Sequence, residues 1–373
     1  MSYPQYEGDI KDILTDDCHI WLDADQSCFV AASAAEKKTI KAVHKVSGRE
    51  KEFKNKTEFW GRQKNVAGGW LADQNTNMAA KAKKAGKEFV PWTREDFDII
   101  DVQTPEPIEN CLHILKLTIN AIMDQIGVSN HTAVLGGKGN FRLKIPTPKI
   151  YKGNREDTLR PLLLEKTREY VEKKYGAIIV DGIEADDFLT MKGYEGYLHY
   201  EKTGKFNHII ASFDKDQLQC PSGIFNTQKT EGKDKTWLYP KLMIIDRSIG
   251  ELWMKNGKCK GWGHKFFGYQ MLCGDDSDNV RPYQDFDIRF GDKSAFEILA
   301  PVDTPKEMWE VIVAKYKEWF PDFVEFTDHM GIERKYTAGQ WASIIFQLIY
   351  MKRTPTDSTT LSKVLKHYGV IDE

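Results

Sequence analysis

The chain has 373 residues, with 53 Lys and Arg against 55 Asp and Glu and 41% hydrophobic residues, which excludes a disordered tail or a mini-protein and fits one large or two smaller domains. No stretch approaches the roughly eighteen uninterrupted apolar residues of a membrane span, and the start MSYPQYEGDIKD has neither a basic nor an apolar leader, so a soluble, unexported, cytoplasmic protein with no membrane partner is expected. Cys18, Cys28, Cys111, Cys220, Cys259 and Cys273 are scattered without paired spacing, which points to reduced thiols rather than a disulfide framework or a zinc site.

Along the chain, the apolar run 18–22 reads as a buried strand ending in the acidic knot Asp23 to Asp25. The segment from about 37 to 103 is too long for a simple crossover. It opens with ten Lys and Arg against three Asp and Glu between Lys37 and Lys64, and it carries Trp60, Trp70, Trp92 and the pair Gly68 and Gly69. Those tryptophans fit a small satellite core better than stacking on nucleic acid, though the basic setting serves either. Pro105 and Pro107 introduce a helix marked by Leu112, Leu115, Ile119, Ile122 and Ile126. A strand at 131–135 follows. A second basic tract, eleven Lys and Arg against five Asp and Glu from Lys138 to Lys174, runs into a helix at 159–174.

Further strands are read at 177–180, 208–212 and 242–245, and beyond Asp278 the chain turns helical, with Trp309, Ile312, Trp319, Trp341, Ile344, Phe346 and Leu348 as core candidates. Alternating strands and helices predict a mostly parallel sheet covered on both faces. Ligands bind such sheets beyond the carboxyl ends of the strands, and the acidic knots fall there.

Eight acids form one candidate cluster: Asp23, Glu184, Asp186, Asp187, Asp214, Asp216, Asp275 and Asp278. Packed together they would repel one another and bind protons unless cations were present. Oxygen donors without Cys or His favour magnesium, with manganese as substitute, over zinc. Two such ions roughly 4 Å apart can activate water and neutralise a phosphodiester. Basic tracts beside carboxylate knots suit an enzyme acting on a polyanion, whereas each tract alone reads as a solvated helix face and each knot alone as a turn or helix cap.

The ordered set LDAD (22–25), VLGGKGNFR followed by YKGNR (151–155), GIEADD (182–187), ASFDKDQLQ (211–219) and MLCGDDSDNV (271–280) resembles the bacteriophage 5′ nuclease and flap endonuclease family, which includes the 5′-nuclease domain of bacterial DNA polymerase I. The resemblance implies a PIN-like α/β core at 1–245 with a helical arch at about 149–175. A helix-three-turn-helix element that grips duplex DNA and C-terminal helices would occupy 246–373. It further implies Asp23, Glu184, Asp186 and Asp187 as ligands of one metal, and Asp214, Asp216, Asp275 and Asp278 as the looser set for a second. Lys152 and Arg155 would contact the scissile phosphate, Tyr151 would stack on the terminal base, and Lys138, Arg142, Gly291 and Lys293 would bind DNA.

Two departures stand out. Gly137 occupies a position where several members carry an aspartate, leaving Asn140 or Asp25 as substitutes, and Pro282 and Arg289 stand where glycines of a phosphate-binding loop are expected. The implied activity is 5′→3′ exonuclease and flap cleavage of DNA, with RNA primers as further substrates and a polymerase or single-strand-binding protein as partner. The alternatives are a catalytically silent DNA-structure-binding accessory protein and a haloacid-dehalogenase-type phosphatase built on Asp23 and Asp25. In the phosphatase reading EADD and DKD have no role.

Overall fold

A computed structural model describes residues 3–61, 68–155, 158–227, 230–231, 237–238 and 241–372. In chain order, β1 (Leu14–Asp23) and α1 (Ala24–Ala34) are followed by β2 (Glu36–His44), β3 (Glu50–Phe53), α2 (Lys56–Trp60), α3 (Gly69–Lys84), β4 (Phe97–Pro105) and α4 (Ile108–Ile126). Next come β5 (His131–Gly136), α5 (Leu164–Tyr175), β6 (Ile178–Val180), α6 (Ala185–Thr203), β7 (Phe206–Ala211), β8 (Ser222–Phe225), β9 (Thr230–Glu231), β10 (Trp237–Leu238) and β11 (Leu242–Ile245). The chain closes with β12 (Glu251–Lys255), β13 (Lys258–Trp262), α7 (Gly263–Cys273), α8 (Asp292–Leu299), α9 (Pro305–Trp319), the hairpin β14 (Val324–Thr327) and β15 (Glu333–Tyr336), α10 (Ala338–Ile349) and α11 (Leu361–His367).

The chain divides into two compact units, one of Met1–Ser27, Leu117–Leu159 and Arg168–Glu373, the other of Cys28–Lys116 and Arg160–Thr167. The larger unit is built on a six-stranded sheet of order β11-β8-β7-β1-β5-β6. β1 pairs in parallel with β5 and β7, β5 with β6, and β7 with β8, while β11 joins antiparallel at the edge. All five expected strands are present. Successive side chains of a strand point to opposite faces, and on central β1 Cys18, Ile20 and Leu22 of one face are completely buried while His19 and Trp21 of the other are partly buried. Close packing of α6 on β7 requires glycine at 196, where a Cβ would lie 2.0 Å from the His208 carbonyl oxygen.

The expected boundary near residue 245 is not where the chain divides. Ile224 of β8 and Ile245 of β11 share one apolar core with Phe266, Trp309, Trp341 and Leu365 of the helices, so the C-terminal region has no separate core. Trp341 is fully buried and its indole N–H donates to the Pro282 carbonyl at 2.8 Å. Of the expected arch at 149–175, residues 156–157 lie outside the described residues. The rest holds a short 3-10 turn, Gly153–Arg155, and the single α-helix α5.

In the smaller unit, β3, β2 and β4 form an antiparallel sheet over a core of Ile40, Ala42, Phe53, Phe59, Leu71 and Phe97. Trp60, Trp70 and Trp92 pack against that core, as the satellite reading expects. The Asn75 amide holds Trp92 by two hydrogen bonds of 2.8 Å to its backbone. Residues 62–67 of the basic segment lie outside the described residues. All six cysteines are free thiols. Among the described residues no helix is long and apolar enough to cross a membrane.

Candidate functional site

The carboxyl ends of β1, β5, β6 and β7 border one cavity of about 280 Å³ within the larger unit. Asp23 ends β1, and its two carboxylate oxygens accept from the Gln26 amide at 3.3 Å and the Ser212 hydroxyl at 3.1 Å. Asp25 opens the following helix and also lines the cavity, but its carboxylate is held by the Gly136 amide at 2.6 Å and by an ion pair with Arg168. After β6, Glu184 caps α6 and Asp186 lies in its first turn, where negative charge is favoured. After β7, Asp214 caps a 3-10 turn by accepting from the Asp216 amide at 2.8 Å. Asp275 caps a second 3-10 turn, Asp276–Asp278, in the same manner. Capping and site formation thus coexist, because a cap engages one oxygen and leaves the other.

Asp216, Asp275 and Asp278 present oxygens within 4.8 Å of one another, an arrangement that could hold a cation. Asp23, Glu184, Asp186, Asp214, Asp216 and Asp278 all line the cavity. Seven of the eight expected ligands therefore converge. Asp187 does not: its side chain is fully buried and forms a bidentate pair with Arg142 at 2.6 and 3.0 Å, while the Lys352 amide donates to it at 3.0 Å. Arg142 is likewise fully buried, spending its remaining donors on the Leu348 and Tyr350 carbonyls at 2.9 and 2.7 Å. Two expectations are corrected together, because the presumed metal ligand and the presumed DNA contact satisfy each other inside the protein.

Tyr151 is corrected too. Only 3% exposed, it cannot stack on a base, and its hydroxyl lies 3.0 Å from Glu184 and 2.7 Å from Asp278. One phenolic proton serves one acceptor at a time, and burial followed by these two carboxylates pushes the Tyr151 pKa well up. Lys152 and Arg155 do stand at the cavity. Lys152 Nζ is 2.5 Å from Glu184 and 3.4 Å from Asp278, and the Arg155 guanidinium is 2.5 Å from Asp278. Lys152 adopts a left-handed backbone, φ 57°, with its amide donating to the Asp278 carbonyl at 2.8 Å. Burial would depress its pKa, but Glu184 and Asp278 outweigh that and raise it.

Sequence reasoning overlooked Lys215, which pairs with Asp275 at 2.7 Å although it sits in plain view between Asp214 and Asp216. Burial would raise Asp275, and this lysine holds it low instead. It also overlooked Gln270, whose amide donates to Asp216 at 2.6 Å and links it to Gln219. Nothing local marks Gln270 in the sequence.

The charge ledger separates the acids into two sets. Glu184, Asp187, Asp275 and Asp278 each have a Lys or Arg within 4.0 Å; among the described residues Asp23, Asp186, Asp214 and Asp216 have none. These four are the ones whose pKa values rise, burial being the first cause and neighbouring carboxylates, Asp214 for Asp23 and Asp216, the next. For Asp214 burial is likewise first, with Asp278 adding to it. Asp23 is pushed up to about 7 and Asp216 to about 8. Lys152 offsets Asp186 and Asp214, and Lys215 offsets Asp214 and Asp216, only in part, and four such oxygen donors in one cavity suit hard divalent cations.

At Gly137 an added Cβ would lie 2.2 Å from the Asp181 carboxylate and 2.7 Å from the Val180 carbonyl. Asp181, after β6, accepts from the Lys138 amide at 2.6 Å and fills the space a side chain at 137 would need. Asn140 lines the cavity while accepting from the Arg142 amide at 3.0 Å. Lys138 and Lys293 are exposed, and Lys293 lies 3.7 Å from Glu297. Gly291 precedes α8, but there Asp292 already offers a carboxylate to the Cys259 amide at 3.1 Å and to the Tyr269 hydroxyl.

No family model and no curated protein matches this chain. Among solved structures, a mutant of the bacteriophage T5 5′-exonuclease shares 11% identity, covering 66% of this chain and 82% of its own, with a TM-score of 0.32. A bacteriophage T5 flap endonuclease in a pseudo-enzyme-product complex with DNA and metal ions shares 14%, covering 69% and 90%, with a TM-score of 0.35. A T5 protein co-crystallised with metal ions shares 15%, covering 70% and 93%, also at 0.35.

Proposed function

We propose that this chain hydrolyses phosphodiester bonds of DNA with the help of divalent cations, as a 5′→3′ exonuclease with flap endonuclease activity in phage-type replication or recombination. The observation that carries the reading is the set of four carboxylates, Asp23, Asp186, Asp214 and Asp216, which among the described residues have no Lys or Arg within 4.0 Å and share one cavity with Lys152 and Arg155. Magnesium, or manganese in its place, would supply neutralisation of the phosphodiester and a more acidic water. These four acids, with Asp275 and Asp278, would hold two such ions. Lys152 and Arg155 lean on Glu184 and Asp278 and would transfer to a substrate phosphate, where a point charge and a bidentate fork both favour the developing negative charge. Exposed Lys138 and Lys293 would add sequence-independent phosphate contacts.

DNA with a free 5′ end, a flap or a nick is the proposed substrate, with RNA hybridised to DNA as a second form. The phosphatase reading needs Asp25 as a free acid, whereas Arg168 and the Gly136 amide hold it. A 5′-labelled flap and a nicked duplex, incubated with and without magnesium beside para-nitrophenyl phosphate, test the proposal. Magnesium-dependent cleavage of the nucleic acids alone supports it. Binding without cleavage favours the accessory-protein reading.

A further inference from the structure

The two units differ in charge. The segments of the smaller one hold 18 Lys and Arg against 13 Asp and Glu, net +5, whereas the larger holds 35 against 42, net −7. A unit at −7 repels a polyanion at long range, and two bound divalent cations would leave it negative. Several acids of the smaller unit are engaged in its own fold. Glu58 accepts from the Lys54 amide at 2.6 Å, Asp96 from the Thr93 amide at 2.6 Å, and Glu50 and Asp98 pair with Lys41 and Lys45 at 3.1 and 3.7 Å.

The cations of α3 have no such role. From residue 74 to 87 the chain reads QNTNMAAKAKKAGK, with four lysines and no acid. Only Leu71 of this 16-residue helix is buried, and the amino-terminal half is fixed by Leu71 in the core and by Asn75 on the Trp92 backbone. Lys38, Lys41 and Lys45 each have a carboxylate within 4.0 Å; among the described residues Lys81, Lys83, Lys84 and Lys87, all exposed, have none. Helix propensity and the macrodipole account for part of the run, because Ala and Lys favour a helix and cations favour its carboxyl end. They do not account for its density. Lys81 and Lys84, three residues apart, are neighbours on the helix surface and repel each other, and Lys87 lies beyond the helix end.

We propose that the smaller unit holds nucleic acid by its phosphate backbone, with Lys81, Lys83, Lys84 and Lys87 as contacts that do not read base sequence. The choice of polyanion rests on the nuclease reading of the larger unit. A small anion matches one or two of these side chains, whereas four unpaired cations within seven residues match the repeated charge of a phosphodiester chain. Flexible lysine point charges suit backbone contacts that need no fixed geometry.

Anisotropy of a fluorescent 5′-flap duplex, titrated with the full chain in EDTA at KCl concentrations from about 50 to 200 mM, gives the slope of log Kd against log salt. Lys81→Gln, Lys83→Gln, Lys84→Gln and Lys87→Gln combined keep helix propensity. They should lower that slope by about 2–4, roughly 0.9 for each lysine that meets a phosphate, and weaken binding at least about tenfold. The matching Lys→Arg set at the same four positions should keep the parent slope. Lys202→Gln, Lys306→Gln, Lys317→Gln and Lys366→Gln combined, at exposed positions of the larger unit, remove the same charge and should leave the slope unchanged. The proposal is overturned if the parent does not bind the flap, if the α3 Lys→Gln set leaves the slope unchanged, if the Lys→Arg set loses as much, or if the larger-unit set lowers the slope equally. No cleavage is read in EDTA. A parent that binds as expected but never cleaves with magnesium therefore refutes the nuclease reading alone, and a parent that cleaves while the α3 Lys→Gln set keeps its slope refutes this inference alone.

Discussion

Replacing Arg142 with alanine is expected to cost stability and not DNA affinity. The guanidinium and the Asp187 carboxylate are both 0% exposed and joined at 2.6 and 3.0 Å, and the same guanidinium satisfies carbonyls of Leu348 and Tyr350. Without it, Asp187 retains, among the described residues, the backbone donors of Glu184 and Lys352, and two carbonyls lose a partner. Breaking a buried pair by removing one member costs about 3–5 kcal/mol, which for a unit of this size lowers Tm by roughly 5–10 °C. Asp187→Asn should lose a comparable amount, since an amide cannot match both guanidinium donors. Asp186→Asn should instead raise the Tm of the metal-free protein, by relieving repulsion from Asp214 and Asp23. Thermal melts in EDTA, with flap binding followed by anisotropy at fixed salt, check all three. An Arg142→Ala protein with unchanged Tm and lost DNA affinity would refute the buried-pair assignment.

Three other outcomes follow from the same geometry. Asp23 and Asp216 bind protons more tightly folded than unfolded, at about 7 and about 8, so their contribution is full below the unfolded value near 4 and is lost as pH rises to about 8. Taken alone, Asp23 forfeits about 4 kcal/mol by pH 7. Tm of the metal-free protein should therefore fall across that window and recover with magnesium, with protons released on metal binding; a flat profile contradicts the shifts. Lys152→Ala should lower single-turnover cleavage more than affinity, and Lys152→Gly, which removes the cost of φ 57°, should recover stability but not rate; equal recovery of rate would make the lysine a backbone device. Gly137→Asp is expected to lower Tm and not to improve metal use, because its Cβ would meet Asp181 and Val180; a lower magnesium requirement at unchanged Tm would refute this.

Local signals made the framework legible. Apolar runs marked five of the six strands of the sheet, β8 being the one they did not mark, and the acids at strand ends marked the cavity. Partnering was not legible. Asp187 has the same spacing from Glu184 that a shared metal site would use, yet its partner Arg142 lies 45 residues away in sequence, and a further contact comes from Lys352, 165 residues away. Tyr151 and Arg142 looked like surface groups because a polar side chain satisfied internally has the same sequence as one that faces solvent. The smaller unit was announced by its length and tryptophans, but its antiparallel sheet was not, because β2 opens on three charged residues and β3 is charged at three of its four positions, which breaks the apolar–polar alternation of a half-buried strand.

The most direct measurement is single-turnover cleavage of a 5′-labelled flap by the parent chain and by Asp214→Asn, across a magnesium titration from EDTA upward. The account predicts cleavage by the parent only with metal, its near-abolition in Asp214→Asn, and flap affinity in EDTA retained or tightened by the substitution, as one negative charge leaves the cavity. No cleavage by the parent at any magnesium or manganese concentration, or undiminished cleavage by Asp214→Asn, would contradict it.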